Sequence, residues 1–416
     1  MVHGQSPPVQ TRHIHDLISA KEILSKKGFP LTRIIFLNQG GGRLFEEFIA
    51  EASSIGPAIY FGPSNDSFSI NGVHLVKMPR HSNRTTIERL WTWFNFLAIS
   101  GWKILTTPGK PLLFIVTNPP LSPLLGVIAN KLRGNKYILL FYDMYPEALT
   151  RFANISENSI ITRIWRFMNA MAIRNAVGVI TISPQMAETL RQYYPLNNGT
   201  KNVRIIPTWV DTEQIRPMDK DQNWFAKRYG QIGKLTILYS GNIGFVHNLN
   251  MLPEIAQRLQ DYTDVHFLIV GEGSGRKQIE AECVRLKLKN LTLLPLQDEE
   301  TLPFLLATGD VSIVSLVSGA EGIAMPSKTY YNMAAGCALL GFSNSNSDLA
   351  AVIRNYQCGI NVETGNVDDV VQQILQIRER PDILNEYRKN ARQAAEKYFS
   401  RKTCTPKMVE FVRKLM

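Results

Sequence analysis

Leu112-Leu113-Phe114-Ile115-Val116-Thr117, followed at once by Asn118-Pro119-Pro120, is the run whose reading decides the fold. Leu112 to Val116 are all apolar, with no alternation of inside and outside, so a strand here must be covered on both faces. The Asn-Pro-Pro step ends it sharply, because proline lacks a backbone donor and pushes the residue before it away from the helical region. Leu121–Leu132 then shows helical apolar spacing, and Lys136–Tyr142 is a second, largely apolar strand. Strand, helix and strand of this kind imply a parallel sheet with helices on both sides, whose ligands gather beyond the strand C-termini.

The pattern extends in both directions. Towards the N-terminus, Arg33–Leu37 is a strand, Gly40-Gly41-Gly42 a turn and Arg43–Ser54 a helix, followed by strands at Pro57–Gly62 and Val73–Met78 and a helix at Thr85–Leu105. Towards the C-terminus come a helix at Ile160–Asn175, a strand at Gly178–Ile182, a helix opened by Ser183-Pro184 and a closing strand at Val203–Ile206. A second alternation starts at Leu235, with strands at 235–240, 265–270, 291–294, 311–316 and 338–342. The expected architecture is α/β, with two Rossmann-like doubly wound parallel-sheet domains facing across a cleft. An appendage occupies residues 1–30, the first domain 31–208, a linker 209–233 and the second domain 234–382. Helices over 383–416 are expected to cross back to the first domain.

Composition narrows the function. Of the 416 residues, 44% are hydrophobic and 19% charged, as in folded globular proteins. Residues 1–208 hold 22 Lys and Arg against 11 Asp and Glu, whereas residues 209–416 hold 24 of each. The whole net charge of +11 therefore sits in the first half and points to an anionic surface or partner there. A nucleic-acid partner fits the charge but lacks any recognised motif, and none is expected. Cys283, Cys337, Cys358 and Cys404 match no metal or disulfide spacing and read as free thiols of a reducing compartment. Met1–Pro30 lacks the apolar run of a secretory signal, so a cytoplasmic location is expected.

The chemistry gathers at the ends of the strands. Ala320–Gly336 reads as an irregular loop leading into a helix that Ser327 could cap and Gly336 stops. Lys328 falls in its first turn, where the helix dipole disfavours a cation by roughly 0.3–1 kcal/mol unless an anion lies between them; otherwise the side chain extends into water. Asn118, Asp143 and Glu147 lie at the ligand edge of the first sheet, and Gly40–Gly42 would let backbone amides approach a ligand. Asp219-Lys220-Asp221 lies in a polar linker and reads as solvated charge. Leu90–Leu105 is shorter than the about 20 residues needed to span a bilayer. Its Trp91, Trp93, Phe94, Phe96 and Trp102, flanked by Arg84, Arg89, Lys103 and Lys110, suit either a core helix or the headgroup boundary of an anionic membrane.

Several segments, in order, resemble the retaining family-4 (group 1) glycosyltransferases of GT-B fold, of the bacterial polysaccharide-biosynthesis type. Ile206-Pro207-Thr208-Trp209-Val210-Asp211 is similar to that family's Pro-Asn-Gly-Val-Asp segment, and Leu238–Gly244 to its donor-side glycine loop. Ile269–Gly273 resembles its Val-Gly-x-Gly, and Glu321–Pro326 its Glu-Gly-Phe-Gly-Leu-Pro. The resemblance implies transfer of a sugar from a nucleotide diphosphate sugar, UDP mildly preferred, to a glycan or polyprenyl-linked acceptor, without metal or other cofactor. It implies Asp143, Glu321 and Lys328 as catalytic residues, and Asn118 and Glu147 on the acceptor side. The donor would meet Gly41, Gly42, Gly241, Asn242, Gly271, Gly273, Met325, Pro326, Ser327, Tyr330 and Tyr331. The family's second Glu is replaced by Thr329, or by Tyr331 in the alternative alignment, and Asp348 is the expected substitute. The Arg and Lys that often follow the glycine loop are absent from Asn242–His247. The acceptor class implies a peripheral site at the inner membrane face, through residues 84–110. A nucleotide-sugar 2-epimerase and a catalytically silent GT-B partner subunit are the alternatives.

Overall fold

The computed structural model describes residues 33–63, 68–79, 86–153, 155–194, 203–244, 249–363 and 365–416. The expectations for residues 1–30, for Arg84 and for the segment through His247 lie outside them. Strands β1 (Ile34–Leu37), β2 (Ala58–Gly62), β3 (Val73–Lys77), β4 (Leu112–Val116), β5 (Tyr137–Phe141), β6 (Gly178–Thr181) and β7 (Val203–Ile205) form one sheet, ordered β3-β2-β1-β4-β5-β6-β7. Strands β8 (Leu235–Ser240), β9 (Val265–Val270), β10 (Leu291–Leu294), β11 (Val311–Ser315), β12 (Ala338–Phe342) and β13 (Gly359–Val362) form a second, ordered β10-β9-β8-β11-β12-β13. Every pairing is parallel. The sheets reverse direction between β1 and β4 and between β8 and β11, the crevices where doubly wound folds hold ligands. The expected fold class is the observed one.

β4 and β5 are buried at every residue, which is why they read as unbroken apolar runs. Alternate side chains serve opposite faces. Ile34, Phe36, Leu112 and Phe114 pack with Phe45 and Phe48 of the helix Arg43–Ala52, and with Met408 and Val412 of the last helix, Arg401–Leu415. Ile35, Leu113, Ile115 and Leu139 share a core with Phe96, Leu125 and Ile173, from the helices Thr86–Thr106, Pro123–Arg133 and Ile160–Asn175. β13 is not foreseen from sequence. It is a short edge strand, Gly359-Ile360-Asn361-Val362, only partly buried, so it lacks the continuous apolar signal of the central strands.

The last helix belongs to the first domain's core although it follows the second domain in sequence. The chain crosses through a short parallel bridge, in which Val210 N–H donates to Phe399 O (3.0 Å) and Arg401 N–H to Val210 O (2.9 Å). A second seam joins the domains at the ligand edges, where Met144 N–H donates to Ile323 O at 3.1 Å. Lys220 of the linker pairs with Asp310 and donates to Thr236 Oγ1 at 2.9 Å, so the Asp219–Asp221 segment is a structural tie.

Candidate functional site

Two glycine-bearing turns, at the C-terminal ends of β8 and β9, meet beside Lys328. A side chain at Gly271 would stand 1.8 Å from Gly241 O, so only glycine lets the β8 and β9 turns touch. A side chain at Gly241 would stand 2.9 Å from Lys328 Nζ, which puts the ammonium directly over that turn. Ile243 N–H donates to Glu272 O and Gly275 N–H to Ile243 O (2.8 and 2.9 Å), locking the turns together. Lys328 Nζ donates to Tyr239 Oη at 2.8 Å and lies 4.1 Å from the centroid of that ring. Tyr239 Oη in turn donates to Asn242 O at 2.6 Å. Among the described residues no carboxylate lies within ion-pair distance of Lys328. Burial pushes its ammonium down to about 8. Lys328 is thus a cation held by an aromatic ring, with no ion-pair partner among the described residues, whereas Arg276, which donates to Gly271 O (2.6 Å) on the same turns, is paired with Glu272 (3.6 Å).

The helix Lys328–Ala334 differs from the expectation at its start. Ser327 adopts a helical backbone and is exposed, and its hydroxyl caps nothing. Gly336 ends the helix with φ +75°, as the sequence implies. Glu321 braces the preceding loop: Oε2 accepts from Gly319 N–H (2.7 Å) and Oε1 from Asn344 Nδ2 (2.6 Å). Arg151 of the first domain donates to Gly319 O (2.7 Å) and Glu321 O (3.1 Å). Arg151, Asn344 and Tyr239 are site residues that sequence reasoning misses. Each acts through backbone carbonyls or through partners at least 23 residues away, and no local motif signals that.

Across the cleft, Asp143 follows β5, next to the Met144–Ile323 seam. Its side chain is exposed, yet the surrounding protein desolvates it and raises its carboxyl above the usual range. Asn118 lies beside the Gly40–Gly42 turn: Gln39 N–H donates to Asn118 O (3.1 Å), and a side chain at Gly40 would meet Asn118 Nδ2 at 2.7 Å. Gly41 (φ +60°) packs against Pro63, while Gly42 (φ +100°) faces open space. Asp143, Asn118 and Gly42 therefore line the first domain's ligand edge, opposite Lys328 and Glu321.

Other expected contacts are corrected. Glu147 is completely buried, paired with Arg166 (3.2 Å) and bonded by Tyr194 Oη (3.1 Å), so it holds the first domain together and does not reach an acceptor. Tyr330 is buried against Phe399, with ring centroids 4.3 Å apart, and faces the C-terminal helices, away from a donor. Asp348 is spent across the seam: its carboxylate accepts from Gln185 N–H (3.2 Å) and its own N–H donates to Gln185 Oε1 (3.1 Å). Met325 is buried in the core and offers a donor only its backbone. Thr329 is fully buried and its hydroxyl has no partner. Tyr331 is half-buried, its hydroxyl pushed up to about 12 by burial and then by the Glu47 charge.

A cavity of about 560 Å³ opens elsewhere in the cleft, lined by Arg43, Gln214, Asp298, Glu299 and Glu300. Arg43 is already committed to Glu47 (3.1 Å), Asp211 (3.6 Å) and Glu299 (3.8 Å). A diphosphate would meet net negative charge there, so its size does not make it the anion site. Among the described residues, no group of three or more His, Cys, Asp or Glu could hold a metal, and no helix is long and apolar enough to cross a membrane.

Comparison with known proteins follows the same division of the chain. The model for "Glycosyl transferases group 1" matches residues 221–397, and that for "Glycosyltransferase Family 4" residues 48–214. A probable glycosyltransferase, WbjE of Pseudomonas aeruginosa, is 24% identical over 250 residues, 59% of this chain and 60% of that protein. The putative colanic acid biosynthesis glycosyl transferase WcaI of Escherichia coli K12 is 25% identical over 337 residues, 79% of this chain and 81% of that one. Sucrose-phosphate synthase from Thermosynechococcus elongatus superposes with a TM-score of 0.74 at 15% identity, covering 93% of this chain and 99% of that one. Anabaena HepE, solved in complex with UDP, gives 0.70 at 13% identity, covering 92% and 100%. These two structural likenesses carry the fold.

Proposed function

Since the chain belongs to the group 1 glycosyltransferases, one family model covering each domain, we propose that it moves a sugar from a nucleoside diphosphate sugar to a glycan or lipid-linked acceptor, with retention at the anomeric carbon. The observation that carries this reading is Lys328, a partly buried cation with no anionic partner among the described residues, poised over glycine turns whose backbones meet. The glycan-synthesis name of WcaI and the UDP bound to HepE support the same substrate classes, with UDP the preferred nucleotide.

In this reaction the bond from the anomeric carbon to the diphosphate breaks, and the acceptor oxygen bonds to the same face of that carbon. The acceptor proton leaves with the departing phosphate oxygen. Negative charge grows on the diphosphate, and Lys328 with the backbone amides of the Gly241 and Gly271 turns stabilises it. Asp143, exposed and with a raised carboxyl pKa, orients the acceptor hydroxyl or stabilises the positive charge on the ring. Glu321 receives the sugar hydroxyls on the lone pairs left by Gly319 and Asn344. The scheme calls on no metal.

Lys328→Ala is expected to lower kcat roughly 10²–10³-fold, the loss typical of one transition-state donor. Steady-state kinetics with the donor that gives the largest thermal shift measures it, and near-normal turnover removes the assignment. One observation favours a second reading, nucleotide binding without turnover: Thr329, at the family's second Glu, offers no carboxylate for a ribose diol. A thermal shift with UDP but no glycosylated product from any acceptor would establish that alternative.

On the acceptor side, the reading includes peripheral binding at the inner membrane face through residues 84–110. Trp91, Phe94 and Trp102 are exposed there, and Lys103 and Arg89 lie over the Trp102 and Trp93 rings. Apolar rings beside cations suit the headgroup boundary of an anionic bilayer.

A further inference from the structure

The face of the first sheet opposite the last helix carries three neighbouring helices, Thr86–Thr106, Pro123–Arg133 and Ile160–Asn175. Arg133 ties the first two, donating to Ile104 O and to Gly109 O (2.9 Å). Lys131 Nζ lies 4.0 Å from Met171 Sδ and joins the second to the third. The third helix has an outer side as apolar as that of the tryptophan helix. Ile160 is 75% exposed, Ile161 66%, Ile164 53% and Phe167 69%, against 63% for Trp91 and 61% for Phe94. Leu132, 69% exposed, lies on the helix between them. Soluble monomers seldom leave so many large apolar side chains uncovered on adjoining elements.

The charge of this face selects what covers it. The three helices carry seven Lys and Arg and a single acid, Glu88. Arg163 and Arg174 are exposed on the third helix itself. Apolar side chains with a basic surround match a bilayer interface, where rings and aliphatic chains enter the acyl boundary and cations meet anionic headgroups. The third helix is also coupled to the catalytic edge. Trp165 stacks on Tyr145 with ring centroids 6.2 Å apart, and Arg166 pairs with Glu147, both partners lying within four residues of Asp143.

We propose that the Ile160–Asn175 helix is a second membrane-docking element, lying with Thr86–Thr106 on an anionic phospholipid surface, so that the Asp143 edge of the cleft opens at headgroup level. The inference rests on the membrane reading above and adds a contact that reading does not contain. A lipid-linked acceptor would then reach Asp143 without leaving the bilayer.

Co-sedimentation of the full chain with vesicles of phosphatidylglycerol and phosphatidylcholine, and of phosphatidylcholine alone, tests it. Ile164→Ser with Phe167→Ser is expected to weaken partitioning at least about tenfold, by removing two apolar contacts, with no change in Tm because both side chains are exposed. Arg163→Glu with Arg174→Glu should weaken binding to the anionic vesicles only. If the serine pair binds as well as the parent while Trp91→Ser with Phe94→Ser does not bind, this inference fails and the earlier membrane reading stands. If the parent chain binds neither vesicle, both fail. A parent chain that is a dimer in solution, made monomeric by the serine pair, would show that a second copy covers this face and would overturn the proposal.

Discussion

The two domains share one architecture but treat their ligand edges in opposite ways. In the second domain the edge is made of backbone: glycine turns in contact, one lysine on a tyrosine ring and a glutamate whose oxygens brace its own loop. In the first domain the edge is made of side chains: Asp143 exposed, Asn118 beside a glycine turn, and Glu147 directed inward to Arg166 and Tyr194. The difference follows from the ligands proposed for each. A diphosphate is the same in every nucleotide sugar and is well met by fixed N–H dipoles and one cation, whereas acceptors vary and are met by replaceable side chains. A fold repeated twice thus separates a generic half-site from a specific one.

The largest effect that sharpens this comparison lies in the first domain. Glu147 and Asp143 are four residues apart, one fully buried and paired, the other exposed and unpaired among the described residues. Glu147→Ala leaves Arg166 without its carboxylate inside the fold and is expected to cost roughly 3 kcal/mol of stability, visible as a lower denaturation midpoint. Asp143→Ala should leave the midpoint within about 0.5 kcal/mol and remove turnover instead. A Glu147→Ala chain that melts normally but loses acceptor affinity would return Glu147 to the ligand edge and erase the contrast.

The second domain predicts a pH dependence of intermediate size. Burial lowers Lys328 to about 8 in the unliganded protein, so it is charged below that pH and neutral above it. With an exposed lysine near 10.4, the charged form is the one the fold disfavours, and a diphosphate beside it must push the pKa back up. The log of kcat/KM for the donor should therefore fall by about one per pH unit above roughly 8, while kcat holds to higher pH because the bound anion keeps the ammonium charged. The two profiles, measured between pH 6 and 10, separate these cases. Identical limbs in both would place Lys328 away from the diphosphate.

The same contrast governs what was legible in the sequence. The central strands β4 and β5 announce themselves because burial on two faces leaves no polar residue to interrupt them; β13, half-covered at an edge, does not. The glycine turns are legible because positive φ and backbone contact at Gly241 and Gly271 admit no side chain, a demand that shows in the local sequence. Asp348 and Glu147 mislead because their partners come from distant sequence: Gln185 stands 163 residues from Asp348, and Tyr194 stands 47 from Glu147. A carboxylate at the end of a strand has the same local signature whether it faces a ligand or a neighbouring domain. Tyr330 follows the same logic, since its helix has one face on the cleft and the other on Phe399.

The smallest predicted effect probes how Lys328 is held. Tyr239 touches Lys328 in two ways, through its ring at 4.1 Å and its hydroxyl at 2.8 Å, and the hydroxyl passes the contact on to Asn242 O at 2.6 Å. Tyr239→Phe keeps the ring and the packing but removes both hydrogen bonds. At about 0.5–1.5 kcal/mol for a hydrogen bond, donor kcat/KM should fall by roughly two- to twelvefold. The loss should appear mainly in KM, because the ground-state position of Lys328 is what loosens, and the Tm should change little. Tyr239→Leu removes the ring as well and is expected to cost more in both kcat and KM. If Phe and Leu behave alike, the ring contributes nothing and the hydroxyl alone positions Lys328. If Phe behaves like the parent, the cation is held by the ring, and the Tyr239–Asn242 bond serves only the shape of the β8 turn.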